Sequence, residues 1–112
     1  MATKSRTYNK TLTLSKEDVY TAPSRFEAVI KSILISNITA TRSTISVDFY
    51  KSLDLSTTEL IKDLIVEPNS IVQIDNALHL EVKDALRASA SAATSLVVSL
   101  LVEESNVSQI GI

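Results

Sequence analysis

The sequence predicts an all-β fold, an antiparallel two-sheet β-sandwich of about eight strands, with a jelly roll among the topologies it allows. Three observations predict it. Val72, Ile74, Leu78, Leu80, Val82, Leu86, Ala88, Ala90 and Ala92 all occupy even positions, whereas Gln73, Asp75, His79, Glu81, Lys83, Arg87, Ser89 and Ser91 occupy odd ones. Side chains alternate across a strand with period two, so this stretch has one apolar and one wet face; a helix would scatter the same positions around its axis. The alternation is punctuated by turn chemistry at Glu67-Pro68-Asn69-Ser70, Asp75-Asn76 and Val82-Lys83-Asp84. The longest apolar segment, 26–38, is rich in β-branched residues, which prefer strands.

The elements follow in order. Tyr8, Leu12 and Leu14 alternate with Asn9, Thr11 and Thr13, which predicts a first strand over 7–14. After the polar turn 15–18, a brief strand at 19–21 ends at Ala22-Pro23-Ser24, because proline removes a ladder donor. Within 26–38 the parity slips: Ala28 and Ile30 are even, Ile33 and Ile35 odd. One extra residue near Lys31-Ser32, a β-bulge, puts both halves on one face. A loop at 37–43 precedes a strand carrying Ile45, Val47 and Phe49, and 51–58 reads as a surface loop. The segment 56–66 is ambiguous: Ser56-Thr57-Thr58-Glu59 matches a helical capping box, yet the segment lies between strands and runs into Pro68, which favours a strand. Leu96, Val98, Leu100 and Val102 form a last strand, with Val97 and Leu101 apolar on its other face, as in a central or partner-covered strand. The resulting division is a basic arm at 1–6, a sandwich at 7–104 and a tail at 105–112.

At 112 residues the chain can bury one core without disulfides. It has no cysteine, which excludes a disulfide framework, a thiolate metal site and a cysteine nucleophile. The first ten residues lack an apolar signal core, and no apolar run approaches the ~20 residues that span a membrane, so neither secretion nor a membrane is expected. The net charge of −2 is unevenly spread: residues 1–16 carry Lys4, Arg6, Lys10 and Lys16 and no acid, whereas the remainder carries 7 basic and 13 acidic residues, +4 against −6. The basic stretch reads either as a solvated arm or as one that docks on an acidic neighbour. Four cations with only Tyr8 among them do not make a nucleic-acid face. The single glycine, Gly111, excludes glycine-rich phosphate loops.

Catalytic constellations are lacking. His79, the one histidine, falls on the wet face, with no serine in a nucleophile-elbow context. Asp75, Glu81 and Asp84 lack calcium-loop spacing and read as solvated turn carboxylates, and Glu103-Glu104 as a polar strand end. Without tryptophan there is little to line a sugar cleft; Tyr50 is the best candidate for an exposed aromatic platform. Neither an enzyme nor a cofactor is expected. The closing SNVSQIGI ends on Ile110 and Ile112, apolar enough to engage a neighbouring subunit or to fold back on its own domain.

One further signal lies in motif order. Tyr20-Thr21, Ile33, Ser36-Asn37, Pro68-Asn69, Leu78, Leu80, Asp84, Leu86, Ala88 and Ala90-Ser91-Ala92 follow one another in an order that resembles the small virion structural proteins of tailed bacteriophages. The resemblance covers roughly residues 7–104. It departs at Lys83, where the pattern usually has glycine: either the turn demands a positive φ and strains Lys83, or the turn is of another type. The resemblance implies a non-enzymatic β-sandwich, made in the host cytoplasm and built into the virion in many copies. It implies capsid decoration or cement first, and a neck, tail or baseplate accessory as the alternative; a host-glycan-binding module is the reading from another class. The implied partners are other virion proteins, the major capsid protein or tail proteins, and further copies of the chain, engaged through Lys4, Arg6, Lys10, Ile110 and Ile112.

Overall fold

The computed structural model describes residues 3–106, which fold into nine strands. In chain order these are β1 (Thr3–Thr11), β2 (Glu17–Thr21), β3 (Phe26–Asn37), β4 (Ser43–Lys51), β5 (Ser56–Val66), β6 (Ile71–Ile74), β7 (Leu78–Leu80), β8 (Ala85–Ala90) and β9 (Leu96–Asn106). One sheet has the order β1-β9-β3-β6, with β7 also paired to β3; the other has the order β2-β8-β4-β5. Every pairing is antiparallel.

The register explains the topology. Thr3 pairs with Ser105, Glu17 with Ala88, Ile33 with Ile74 and Lys51 with Ser56. The chain is therefore one long hairpin, its tip at residues 52–55, rolled so that β3 also meets β9 and β4 also meets β8. This is a jelly roll. It supplies eight strand positions, one of which is split into β6 and β7.

The core lies between the sheets and follows the alternation. Leu86, Ala88 and Ala90 of β8, and Leu96, Val98, Leu100 and Val102 of β9, are buried. In β3, Ala28 and Ile30 face the core on even positions and Ile33 and Ile35 on odd ones. The phase changes at a register shift: Ile30 pairs with Val102 and Ser32 with Leu101, leaving Lys31 as the extra residue. A bulge there keeps both halves of the strand facing inward. Segment 56–66 is a strand throughout, since its hydrogen-bonding partner is β4. β9 is central, between β1 and β3, while its outer face stays open, with Leu101 42% exposed.

Several boundaries differ from the sequence expectation. The first strand begins at Thr3 because residues 3–6 pair with 102–105 of β9, so these arm residues form part of the sheet edge. β9 likewise runs on to Asn106, two residues into the expected tail, and β4–β5 pairing shortens the expected 51–58 loop to the tip at 52–55. Lys83 adopts a positive φ of 68°, so of the two alternatives left open the turn is the one that demands it.

Candidate assembly surfaces

The two long sides of the roll are closed differently. On the β1/β2 side the inward phase of β9 continues past Val102 to Glu104, which is only 4% exposed. A buried carboxylate needs hydrogen bonds and a cation. Tyr20 Oη donates to Glu104 Oε2 at 2.5 Å, Tyr8 Oη donates to the same oxygen at 2.9 Å, and Arg6 Nε donates to Oε1 at 3.1 Å. The two tyrosine rings pack at 4.9 Å between centroids. Burial, then the adjacent carboxylate, pushes both phenol pKa values up from their ordinary 10.0, Tyr20's furthest. Glu104 is thus a structural anchor joining β1, β2 and β9, in place of the polar strand end expected. Its even parity, continuous with Val98, Leu100 and Val102, was the signal in the sequence.

The expected docking cations lie along this edge. Lys4 is exposed, Arg6 is engaged with Glu104, and Lys10 Nζ lies 3.5 Å from Glu17 Oε1. Ile110 and Ile112 lie outside the described residues.

The opposite side, between β5 and β6/β7, is open. At the height of the Lys31 bulge the edge strand of the first sheet breaks: Leu78 pairs with Ile30 and Ile74 with Ile33, leaving residues 75–77 unpaired between them. β5 is irregular across the gap, with register shifts against β4 on both sides of Val47 and a positive φ of 52° at Asp63. The result is an apolar groove of about 270 Å³, lined by Ile33, Leu60, Ile61, Ile74, Ala77 and Leu78 among others.

At one end of the roll stands the hairpin tip, Ser52-Leu53-Asp54-Leu55. Ser52 N donates to Asp84 Oδ1 at 2.9 Å, and Ser52 Oγ donates to the carbonyl of Val82 at 3.0 Å. Asp84 Oδ2 also accepts from Glu81 N at 3.0 Å. Asp84 is therefore a buried loop anchor, 1% exposed, rather than the solvated turn carboxylate expected; its even position again pointed inward. Asp54 Oδ1 accepts from both Ser56 N and Ser56 Oγ, at 3.2 and 2.6 Å, and these bonds hold the Asp54 pKa below its usual range. On this fixed frame Leu53 and Leu55 are 84% and 74% exposed, and Leu55 has a φ of 57°. A leucine in the left-handed region costs about 1–2 kcal/mol relative to a right-handed conformation.

The remaining candidates do not assemble into chemistry. His79 is exposed, its Nε2 3.5 Å from Glu27 Oε1. Among the described residues no group of three His, Cys, Asp or Glu side chains is placed to hold a metal ion. Tyr50 is half-buried, with the Arg87 guanidinium 4.2 Å above its ring, and Arg87 is in turn paired with Asp18 at 2.7 Å. One face of the proposed sugar platform is therefore covered.

No family model matches the chain, and no curated protein matches it. Among solved structures, a protein of Bacillus endospore appendages, described as a family of disulfide-linked pili, aligns over 96% of this chain and 88% of its own, with a TM-score of 0.59 and 14% identity. Lacking cysteine, the present chain has no means of making such links. Two structures of a pentameric capsid protein from metagenomic phage sequences align over 91% of this chain and 63% and 68% of their own, each with a TM-score of 0.47 and 17% identity. The appendage likeness establishes the sandwich fold.

Proposed function

We propose that the protein is a non-enzymatic structural component of a bacteriophage virion that works by binding its neighbours, further copies of itself and other virion proteins. Capsid decoration or cement is the favoured position, with a neck, tail or baseplate accessory as the alternative. The observation that carries this reading is the leucine tip. Away from the buried core, Leu53 and Leu55 stand in water on a hydrogen-bonded frame, an arrangement that benefits a contact and costs the isolated fold. The order of motifs resembling tailed-phage virion proteins supplies the setting. Repetition in a symmetric particle makes weak contacts add up. Lys4, Lys10 and the apolar Ile110 and Ile112 are further points of engagement in this reading, while Arg6 works mainly within the fold. Light scattering on the purified protein over a concentration and salt series tests it. A closed oligomer or a growing assembly is expected, weakened by salt where Lys4 and Lys10 contribute; a strict monomer at every concentration would count against self-assembly.

A further inference from the structure

The tip and the groove belong to the same chain, and their chemistry is complementary, apolar on both sides with one charge of opposite sign beside each. The tip is a convex wedge of two leucines flanking one carboxylate, Asp54. The groove is a concave apolar slot whose β5 wall, Leu60 and Ile61, is followed by the exposed Lys62, a cation with no ion pair among the described residues. Both are built by irregular backbone. Positive φ values occur at Leu55 in the tip and at Asp63 beside the groove, and the groove opens where the β3 bulge interrupts the pairing of β6 and β7. Bulges of this kind re-aim side chains and end strand pairing, and they recur next to functional sites.

The tip cannot fill the groove of its own chain. Ser52 ties it to Asp84 at the end of the roll. Ser56, where β5 leaves the tip, stands five residues from Ile61, roughly 17 Å along the strand at ~3.3 Å per residue. A leucine tip seated in this slot would therefore have to come from another molecule.

Resting on the structural role proposed above, we infer that a second copy of this chain is the occupant: Leu53 and Leu55 of one copy seat in the groove between β5 and the β6/β7 break of the next, with Asp54 brought toward Lys62. Each copy then offers a tip and a groove at once. The contact is heterologous, so it closes into rings or continues into an array according to the angle between copies. Two leucines bury far less than the roughly 800 Å² per partner of a stable interface, so a single contact is weak and gains strength from repetition.

The test uses two full-length variants. The tip variant combines Leu53→Ser with Leu55→Gly; glycine accepts the positive φ, so the variant keeps its fold with Leu55's backbone strain removed. The groove variant is Ala77→Arg, a bulky charge on the exposed lip. Thermal melts confirm that both are folded, and sedimentation measures their self-association against the unmodified chain. Self-association of the unmodified chain is expected to weaken at least tenfold in either variant alone. At the highest attainable concentration a 1:1 mixture is expected to form weak dimers that grow no further, since one variant keeps a groove and the other a tip. A tip variant that associates like the parent, or a folded mixture that at the same high concentration associates no more than either variant alone, overturns the contact. So does a folded chain lacking residues 107–112 that alone loses association, because the tail would then be the occupant. Association that survives the tip and groove substitutions leaves the structural role standing; a parent chain that never associates removes self-assembly along with this contact.

Discussion

The two long sides of the roll solve the same problem in opposite ways. Any sandwich must close the gap between its sheets along both edges. On the β1/β2 side the closure is polar and complete: Tyr8, Tyr20 and Arg6 converge on Glu104, and every oxygen of that carboxylate has a donor. On the β5 side the edge strand breaks at residues 75–77, and Ile33, Ile61 and Leu78 line an unfilled slot. The closed side binds distant parts of one chain to each other. The open side keeps its apolar surface available, and the difference separates what holds this molecule together from what it can offer to another.

Breaking the element common to both sides has the largest expected effect. Lys31 is the extra residue of the β3 bulge, and β3 pairs with β9 on one flank and with β6 and β7 on the other. Deleting it turns one half of the strand inside out, since a one-residue slip exchanges the faces. Burying polar groups and exposing Ile33 and Ile35, or Ala28 and Ile30, costs more than the ~5–15 kcal/mol that a domain of this kind has in hand. No cooperative unfolding transition is expected; a normal thermal melt would remove the bulge from the account of the fold.

A smaller effect isolates the closed side. The phenol pKa values of Tyr20 and Tyr8 are raised in the folded protein above 10.0, so the folded state holds these protons more tightly than the unfolded one. That contribution is fully present below pH 10 and is lost as pH rises through the folded values. Above pH 10, stability should fall with a slope that steepens toward at most about 1.4 kcal/mol per pH unit through Tyr20, with Tyr8 adding to it. Denaturant titrations between pH 8 and 12 would measure this, and Tyr20→Phe should make the alkaline limb shallower. An unchanged limb in that variant would show that the tyrosine cluster does not couple to folding.

The smallest effect sharpens the contrast from the open side. Leu60 lines the groove yet is 46% exposed. Leu60→Ser should change unfolding free energy by less than ~0.5 kcal/mol, as exposed substitutions generally do. A loss above about 1.5 kcal/mol would mean that the slot is part of the core and not an available surface.

These features were not equally legible in the sequence. Alternation revealed the strands, and the slip between Ile30 and Ile33 located the bulge, because period two admits no other way to keep both halves buried. The same alternation placed Glu104 and Asp84 inside, but a carboxylate is ordinarily solvated, and its rescue depends on Tyr8, Tyr20 and Ser52, residues far away in sequence. Arg6 looked like a free docking charge for the same reason: its partner lies 98 positions further along. The groove left no local trace, since it arises where a bulge in β3 meets a break between β6 and β7. The tip was visible only as a polar loop with two leucines; its exposure and the positive φ of Leu55 are properties of the folded backbone.

The rolled hairpin also dictates an order of events in time. Among the described strand pairs only β4 and β5, joined at 52–55, are neighbours in sequence; each successive pair outward joins residues further apart, until Thr3 meets Ser105. Closing longer loops costs more chain entropy before any contact repays it, and topologies dominated by such pairings fold slowly. The β4–β5 hairpin can form once residue 66 is clear of the ribosome, whereas β1 has no strand partner until β9 follows. During synthesis the amino-terminal strand therefore waits, its ladder groups unpaired and Tyr8 without Glu104, until the last strand of the roll arrives to receive it.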